Sequence, residues 1–315
     1  MGKIAFVFPG QGSQTVGMGK DLYEHFPEAR EVFDAVDSAL KGNLSSIIFS
    51  GPPEALKQTA NAQPALLATS IALLTCMKDL GIRPDFVAGH SLGEYTACVA
   101  AGVLSLTDAA RLVRKRGEYM EEAVPNGKGT MAALMGMDRD ILEGITDAVS
   151  KEGYPVQMAN LNCPGQIVIS GTNMGIHRTI ELAKEKGLKR AIPLEVSGPF
   201  HSSLMKKAAD RFEKLLHNYS FHDAEIPIVS NVTGRIMKES SKIKQLLIQQ
   251  LYSPVLWEDT VRFLITEGVD TFIEIGPGRV LSGLIRKIDR NVQTFAISDQ
   301  ESLRKTISQI KGVEK

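Results

Sequence analysis

The first half of the chain alternates short apolar runs with longer segments in which apolar residues recur at helical spacing. Strands are predicted for IAFVF near the amino terminus and for DFVAG before residue 90. Helices are predicted over residues 20–40 and 64–80, from about residue 92, and over residues 107–123. Strands that alternate with helices are typical of a parallel sheet covered by helices. The pattern therefore predicts an α/β fold.

The pattern changes after a glycine-rich joint over residues 125–129. The segment that follows predicts, in order, strand MAALMGM, helix 138–151, strands VQMANL and QIVISG, helix 175–186 and strand AIPLEV. Strand-helix-strand-strand-helix-strand is the ferredoxin-like order. We therefore expect an inserted ferredoxin-like subdomain over residues 129–195, with residues 1–128 and 196–315 forming one core. That core continues with a helix from about residue 202, strand IPIVSNV, a helix over 242–251, strand TFIEIG and a closing helix.

Composition excludes several classes of protein. The 315 residues are 43% hydrophobic and 23% charged, and 36 Lys and Arg residues balance 36 Asp and Glu residues. A protein that binds nucleic acid through phosphate neutralisation needs a basic excess, and a disordered chain needs low hydrophobicity with high net charge. The chain shows neither. Its length fits about two structural units at roughly 150 residues each.

The location of the protein is inferred from cysteines and apolar runs. Cys76, Cys98 and Cys163 are odd in number and widely spaced, which predicts neither a disulfide framework nor a zinc site. The apolar runs are too short for a secretory segment or for the ~20 residues of a membrane helix. We therefore expect a cytoplasmic protein with no membrane and no nucleic-acid partner.

Ser91 is the candidate nucleophile. It lies in Gly89-His90-Ser91-Leu92-Gly93, where a predicted strand meets a predicted helix. A Gly-x-Ser-x-Gly sequence in that place is typical of a nucleophile elbow, because the flanking glycines permit a tight turn and the helix N-terminus stabilises negative charge. The alternative is a serine that only caps the helix.

His201 is the candidate base, since a serine hydroxyl needs a base within hydrogen-bond reach. His25, His177, His217 and His222 lie in charged segments and are expected to be solvated, whereas His90 is expected to point away from Ser91. His201 lies in the turn SGPFHS just after the predicted subdomain, where its side chain can be aimed into a cleft. A histidine that caps the next helix is the alternative.

An oxyanion hole needs a second backbone N–H besides that of Leu92. The loop PGQGSQ follows the first strand, so in a parallel sheet it lies at the same edge as Ser91. A phosphate loop is excluded there, because Met18 stands where that motif requires lysine. A purely structural glycine turn is the alternative.

Arg116 is predicted to point inward. Its neighbours three and four positions away are Leu112, Val113, Tyr119 and Met120. A buried guanidinium requires an anion, which it can hold with two hydrogen bonds. That anion is either a carboxylate of the substrate or an internal Asp or Glu.

Six motifs spread over nearly the entire chain, PGQGSQ, GHSLGE, VRKRGEYM, SGPFHS, QLYSP and EIGPG, together resemble the malonyl-coenzyme A:acyl carrier protein transacylases of fatty-acid synthesis. The resemblance implies an α/β-hydrolase-like core with an inserted ferredoxin-like subdomain. It also implies that Ser91 is the acylated nucleophile, that His201 is its base, and that Arg116 holds the malonyl carboxylate.

The resemblance assigns the remaining site residues as well. It implies that Gln11 and Leu92 supply the oxyanion N–H groups and that a main-chain carbonyl orients the histidine. Gln250 matches the position of that carbonyl, although Gln249 is also available. Phe200 resembles the residue that marks malonyl-type acyltransferases, and it would fill the space that an α-methyl branch needs.

The implied reaction transfers a malonyl group from malonyl-CoA to the thiol of acyl carrier protein through a malonyl-serine ester. No cofactor is expected, because the coenzyme A thioester is a substrate, and a monomer is expected. A stand-alone malonyl loader for polyketide synthesis and a serine esterase or thioesterase are the alternatives. The candidates for docking the acidic carrier protein are four basic residues: Lys186, Lys189, Arg190 and Arg286.

Overall fold

A computed structural model describes residues 2–78, 81–125 and 127–312 of the chain. Within these ranges the strands are β1 (Lys3–Phe8), β2 (Phe86–Gly89), β3 (Gly129–Met135), β4 (Val156–Cys163), β5 (Gln166–Thr172), β6 (Arg190–Pro193), β7 (Ile228–Val229), β8 (Ile236–Met237), β9 (Val269–Ile275) and β10 (Gln293–Ile297).

Helices connect and cover these strands. They are α1 (Lys20–His25), α2 (Pro27–Leu40), α3 (Leu44–Ser50), α4 (Pro53–Lys57), α5 (Thr59–Cys76), α6 (Leu92–Ala100), α7 (Leu106–Glu122), α8 (Arg139–Lys151), α9 (Asn173–Glu185), α10 (Lys206–Leu216), α11 (Ser240–Gln250), α12 (Trp257–Thr266), α13 (Val280–Ile288) and α14 (Gln300–Lys311). A short 3₁₀ turn, Ser203–Met205, precedes α10. Among the described helices, not one is both long and apolar enough to span a bilayer.

The larger sheet is almost entirely parallel. Its strand order is β10-β9-β1-β2-β7-β8, and only β8 runs antiparallel to its neighbour. Phe8 at the end of β1 pairs with Gly89 at the end of β2. The loops after these two strands therefore leave the sheet side by side, which is where parallel sheets bind ligands. The predicted α/β class is confirmed.

The smaller sheet is antiparallel, with the order β4-β5-β3-β6. Along the chain it is built as β3, α8, β4, β5, α9 and β6, which is the element order expected from the sequence. The main chain of Val255, in the segment between α11 and α12, pairs with Ala159 and Leu161 of β4 at 2.8 and 2.9 Å. One side of β4 is thereby tied to the segment that leads into α12.

Several boundaries differ from the predictions. The helix predicted over 20–40 is two helices, because Phe26 adopts an extended conformation (φ −123°, ψ 111°) ahead of Pro27, as residues before proline do. The helix predicted from residue 64 begins at Thr59 and contains Pro64. The predicted end of that helix, Leu80, and one residue of the predicted joint, Asn126, lie outside the described residues.

Other elements were not predicted at all. These are α3, α4, β8, α12, β10 and α14. The strand expected over IPIVSNV is only the two residues of β7, because the chain turns at Ser230, whose N–H donates to the carbonyl of Arg235 at 2.9 Å. The turn brings Asn231 toward the end of β2, where its amide nitrogen donates to the carbonyl of Gly89 at 2.6 Å.

Candidate active site

Ser91 lies in a strained turn between β2 and α6. Its φ of 51° and ψ of −102° are unusual for a residue that carries a side chain. The turn fits only because its flanking residues are glycines. A Cβ at Gly89 would lie 1.9 Å from the main-chain carbon of Gly93, and a Cβ at Gly93 would lie 2.0 Å from the carbonyl oxygen of Phe8. Both glycines of the motif are therefore required by close backbone approach.

The side chain of His201 is hydrogen-bonded to the hydroxyl of Ser91. Ser91 Oγ and His201 Nε2 are 2.7 Å apart, and His201 Nδ1 is 2.8 Å from the main-chain oxygen of Gln250. A carbonyl oxygen can only accept, so Nδ1 carries the ring proton and Nε2 is free to accept the hydroxyl of Ser91. The carbonyl of Gln249 is occupied elsewhere, because it accepts the N–H of Tyr252 at 3.2 Å.

The backbone of His201 is also unusual, with a φ of 56°. Of the three described non-glycine residues with positive φ, two are Ser91 and His201, and the third, Lys41, ends a helix. Strained backbone concentrates at functional sites, since the surrounding structure must hold it in place. Here the strain falls on both members of one hydrogen-bonded pair.

His201 is held in its neutral form. Its side chain is buried, and burial together with the positive charge of Arg116 lowers the pKa of His201 from 6.5 to about 3. At neutral pH the imidazole is therefore unprotonated at Nε2, which is the state that a general base requires.

Arg116 points inward, as predicted from its helical neighbours, and is 1% exposed. Its acceptors are three neutral oxygens: Gln63 Oε1 at 2.8 Å, Gln250 Oε1 at 2.8 Å and Ser91 Oγ at 3.1 Å. The guanidinium carbon lies 5.3 Å from the ring of Tyr95. No carboxylate is among these acceptors, although burial opposes the charge of Arg116. The cation is thus held in place beside Ser91 without being neutralised by an internal ion pair.

A cavity of about 400 Å³ opens over Ser91. Met131 on β3 and Asn160 on β4 of the smaller sheet line it, together with residues of the loops that follow β1 and β2 of the larger sheet. The apolar lining consists of five side chains besides Leu92: Met120, Met131, Leu194, Val196 and Phe200. An ion pair with a length of 3.3 Å, Lys57 with Glu195, is exposed at this lining. The cavity therefore combines one buried cation, a serine and an apolar wall.

Leu92 and Gln11, the two candidate oxyanion donors, both line this cavity. Leu92 is the first residue of α6, and the first N–H groups of a helix have no partner within it. Gln11 follows β1 at the same edge of the sheet, and its side chain is turned to Thr59, to which Nε2 donates at 3.1 Å. Phe200 lines the cavity next to His201, and its side chain is 5% exposed.

None of the other five histidines, all of which the structure describes, is hydrogen-bonded to Ser91 Oγ. His25, His177, His217 and His222 are exposed, as expected. His90 also lines the cavity, but its Nε2 is 2.9 Å from Asn162 Oδ1 and its ring faces Trp257 at 5.7 Å. Burial lowers the pKa of His90. His201 is therefore the histidine that the fold brings to the serine.

The four basic docking candidates, Lys186, Lys189, Arg190 and Arg286, are exposed, and none of them lines the cavity. Arg286 is engaged at the sheet edge, where its Nε donates to Thr294 Oγ1 at 2.6 Å. Apart from Arg116, the cation at the cavity lining is Lys57. The sequence pattern did not single out Lys57.

Sequence reasoning also missed three polar residues around Ser91. Gln63 binds Arg116, Asn231 Oδ1 accepts the N–H of Ser91 at 2.7 Å, and Glu94 is a buried carboxylate that accepts from Asn231 and Gln250. Glu94 stands in the GHSLGE motif, which was one available signal. Gln63 and Asn231 lie in segments without any recognisable motif.

A serine hydrogen-bonded to a neutral histidine, beside a fixed cation in the lining of a cavity, is an arrangement suited to acyl transfer. In agreement, a sequence profile described as the acyl transferase domain matches residues 5–303. The chain is 59% identical over 311 residues to the malonyl CoA-acyl carrier protein transacylase of Bacillus subtilis (strain 168), covering 99% of this chain and 98% of that protein. The chain belongs to the acyl transferase domain family and, within it, to the malonyl CoA-acyl carrier protein transacylases.

Solved structures give the same result. The acyl-carrier-protein-S-malonyltransferase from Bartonella henselae superposes with a TM-score of 0.94 at 45% identity, covering 98% of this chain and 99% of that one. A malonyl-transacylase in complex with its type II PKS acyl-carrier protein superposes with a TM-score of 0.94 at 41% identity, covering 98% and 99%. The mixed α/β fold is therefore common to these proteins.

Proposed function

We propose that the chain transfers the malonyl group of malonyl-CoA to the phosphopantetheine thiol of acyl carrier protein, through an ester on Ser91, and so supplies fatty-acid elongation. The observation that carries this proposal is the contact between Arg116 Nη2 and Ser91 Oγ at 3.1 Å. A fixed cation beside the nucleophile favours acyl groups that end in a carboxylate. The guanidinium can hold that carboxylate with two hydrogen bonds.

In the first half-reaction Ser91 Oγ attacks the thioester carbonyl while His201 Nε2 takes the hydroxyl proton. The negative charge that develops on the carbonyl oxygen is stabilised by the N–H groups of Gln11 and Leu92. When the intermediate collapses, the carbon–sulfur bond breaks, the imidazolium returns its proton to the sulfur, and free coenzyme A leaves a malonyl-serine ester. No cofactor takes part, because coenzyme A is part of the substrate.

The second half-reaction reverses these steps with a new thiol. His201 removes the proton of the pantetheine thiol of the carrier protein, and the sulfur attacks the malonyl-serine carbonyl. Collapse of this intermediate breaks the ester bond and returns the proton to Ser91 Oγ. One base therefore serves both halves.

Gln250 orients the base without adding charge. Its main-chain oxygen accepts from His201 Nδ1 at 2.8 Å, in the place where many hydrolases have a carboxylate. A buried carboxylate there would repel the malonyl carboxylate and compete for Arg116. We infer that the neutral carbonyl keeps Arg116 available to the substrate.

The finer architecture is consistent with this assignment. We infer an α/β-hydrolase-like core from residues 1–128 and 196–315, since Ser91 lies on a strand-to-helix turn of a parallel sheet. The antiparallel β4-β5-β3-β6 sheet with α8 and α9 supports a ferredoxin-like subdomain over residues 129–195. The active cavity would then lie between the two units.

The two alternative functions considered from the sequence are not equally supported. A polyketide malonyl loader uses the same chemistry, and the relative in complex with a type II PKS carrier protein favours it as a second pathway for this site. A serine esterase gives no reason for a buried Arg116 that contacts the nucleophile. The monomeric state and the cytoplasmic location stay predictions.

Intact mass spectrometry after mixing with malonyl-CoA tests the proposal. We expect one added malonyl group on the wild type and none on Ser91→Ala, and His201→Ala should acquire it about a thousand-fold more slowly. Adding carrier protein with its thiol should remove the group from Ser91 much faster than water does, which an esterase would not show. An adduct on Ser91→Ala would reject the mechanism.

A further inference from the structure

The strained turn at Ser91 is held from both sides by side chains. The N–H of Ser91 donates to Asn231 Oδ1 at 2.7 Å, and the carbonyl of Ser91 accepts from Gln250 Nε2 at 2.9 Å. Asn231 also donates to the carbonyl of Gly89 at 2.6 Å. The peptide groups before and after the nucleophile are therefore fixed by two residues that are distant in sequence.

Gln250 also links the nucleophile to the cation. Its Oε1 accepts from Arg116 at 2.8 Å. Because a guanidinium only donates, this contact fixes the amide of Gln250 with Oε1 toward Arg116 and Nε2 away from it. The Nε2 group must then donate to whatever lies on its other side.

Glu94 lies on that side. Its Oε2 accepts from Gln250 Nε2 and its Oε1 accepts the N–H of Asn231 at 3.1 Å. Both oxygens are therefore acceptors, which is the pattern of an ionised carboxylate. Glu94 is fully buried, and burial raises the pKa of Glu94 to about 7, while these hydrogen bonds and Arg116 act in the opposite direction. No contact joins Glu94 to Ser91 Oγ or to His201 in the described structure.

We propose that Glu94 is a positioning residue: it anchors Asn231 and Gln250, and through them it holds the Ser91 turn and the guanidinium of Arg116 in reactive geometry. The assignment rests on the proposed function only for its choice of acyl donor. A shift of about 1 Å at a nucleophile can cost about 100-fold in rate, so losing one of these anchors should be visible in the chemistry.

Glu94→Gln is the sharpest variant. It keeps the shape of the side chain but replaces one acceptor with a donor, so either Asn231 or Gln250 must face another donor. Glu274→Gln is the matched control, because Glu274 is also buried and accepts two N–H groups, from Leu281 at 3.0 Å and Ser282 at 2.7 Å. It lies on β9 and is not part of the site.

Two reactions of the full chain should be followed by intact mass. One is acylation by malonyl-CoA over a range of concentrations. The other is phosphonylation of Ser91 by a fluorophosphonate, in which the oxygen–phosphorus bond forms as fluoride leaves, and which needs no malonyl group. In Glu94→Gln both maximal rates should fall about 10- to 100-fold, while the malonyl-CoA concentration at half-maximal rate changes less than about threefold. The thermal unfolding midpoint should fall for Glu274→Gln as well, but its acylation and phosphonylation rates should stay within about twofold of the wild-type rates.

Unchanged rates in Glu94→Gln, or equal slowing by Glu274→Gln, would overturn the proposal. If Glu94→Gln does not fold, Asn231→Ala decides instead, since it removes the contact to the N–H of Ser91 and leaves Glu94 in place. It should slow the fluorophosphonate by a similar factor, and a wild-type rate would reject the assignment. A wild type that takes up fluorophosphonate but no malonyl group would refute the proposed substrate and leave the Glu94 comparison intact.

Discussion

His201 and Arg116 contact the same oxygen atom, Ser91 Oγ, at 2.7 Å and 3.1 Å. The proposed base and the buried cation proposed to bind the acyl carboxylate are therefore neighbours. This proximity is one cause of the low pKa of His201, and burial is the larger one. A carboxylate bound to Arg116 would offset its charge and make the imidazole a stronger base when the correct acyl group is present.

The low pKa of His201 predicts a pH-dependent contribution to stability. The unfolded chain binds a proton at His201 below pH 6.5, whereas the folded chain does not until about pH 3. The contribution is therefore complete above pH 6.5 and is lost as the pH falls toward 3. Relative to His201→Gln, the wild type should lose about 2 kcal/mol of unfolding free energy between about pH 7.5 and pH 5. Urea unfolding of both proteins at the two pH values measures this, and a constant difference would contradict it.

Arg116→Ala should change which acyl group is accepted. Malonyl transfer should fall at least about 100-fold, because the carboxylate would enter the cavity without its cation. Acetyl transfer should hold or rise, since acetyl has no carboxylate. Competition between malonyl and acetyl thioesters, read as adduct mass on Ser91, gives the ratio. If both transfers fall in equal proportion, Arg116 is structural and the carboxylate assignment is wrong.

Phe200→Ser should relax discrimination against a branched acyl group. Phe200 lines the cavity beside His201, so a smaller side chain there leaves room for an α-methyl branch. Methylmalonyl acceptance relative to malonyl should rise by about 10- to 200-fold at most, the range that one methylene supports in an apolar pocket. The same competition assay with methylmalonyl-CoA measures it. Met131→Leu, elsewhere on the wall, is the control, and an equal gain there would remove the special role of Phe200.

Charge reversal at Lys186, Lys189 and Arg190 should affect only the second half-reaction. These side chains are exposed and none of them lines the cavity, so they can attract an acidic carrier protein without touching malonyl-CoA. The Michaelis constant for the carrier protein should rise, and it should rise less at high salt, while acylation by malonyl-CoA stays unchanged. Lys57→Glu at the cavity lining is the comparison. Equal effects on both half-reactions would show that the three residues do not dock the carrier.

The parts of the site that the sequence predicted are local or carried by motifs. The Ser91 turn follows from two glycines close to it in the chain, and the inward direction of Arg116 follows from its neighbours on one helix. The short elements α3 and α4 and the edge strand β10 carry too little periodic pattern to be recognised. The length of β7 was overestimated because the chain turns at Ser230 and the next residue, Asn231, is held by Gly89 and Glu94, which are distant in sequence.

The site residues that the sequence did not reveal make contacts with residues far away along the chain. Gln250 Nε2 contacts the carbonyl of Ser91 across 159 positions, and Asn231 contacts the N–H of Ser91 across 140 positions. Such contacts leave no spacing rule in the sequence. The sequence left both Gln249 and Gln250 as candidates for the carbonyl that orients His201 for a similar reason. Only the three-dimensional position of the last turn of α11 decides which carbonyl faces the imidazole.

Gln250 uses its backbone for His201 and its side chain for Arg116 and Ser91. The two tasks can therefore be separated by mutation, because a substitution at position 250 replaces the side chain and leaves the main-chain carbonyl. Substitutions at position 250 would therefore change the contacts of Arg116 and of the Ser91 carbonyl, while the main-chain oxygen that accepts from His201 Nδ1 is kept. An insertion or deletion within α11, in contrast, would displace both at once, so the length of this helix is less tolerant of change than its composition.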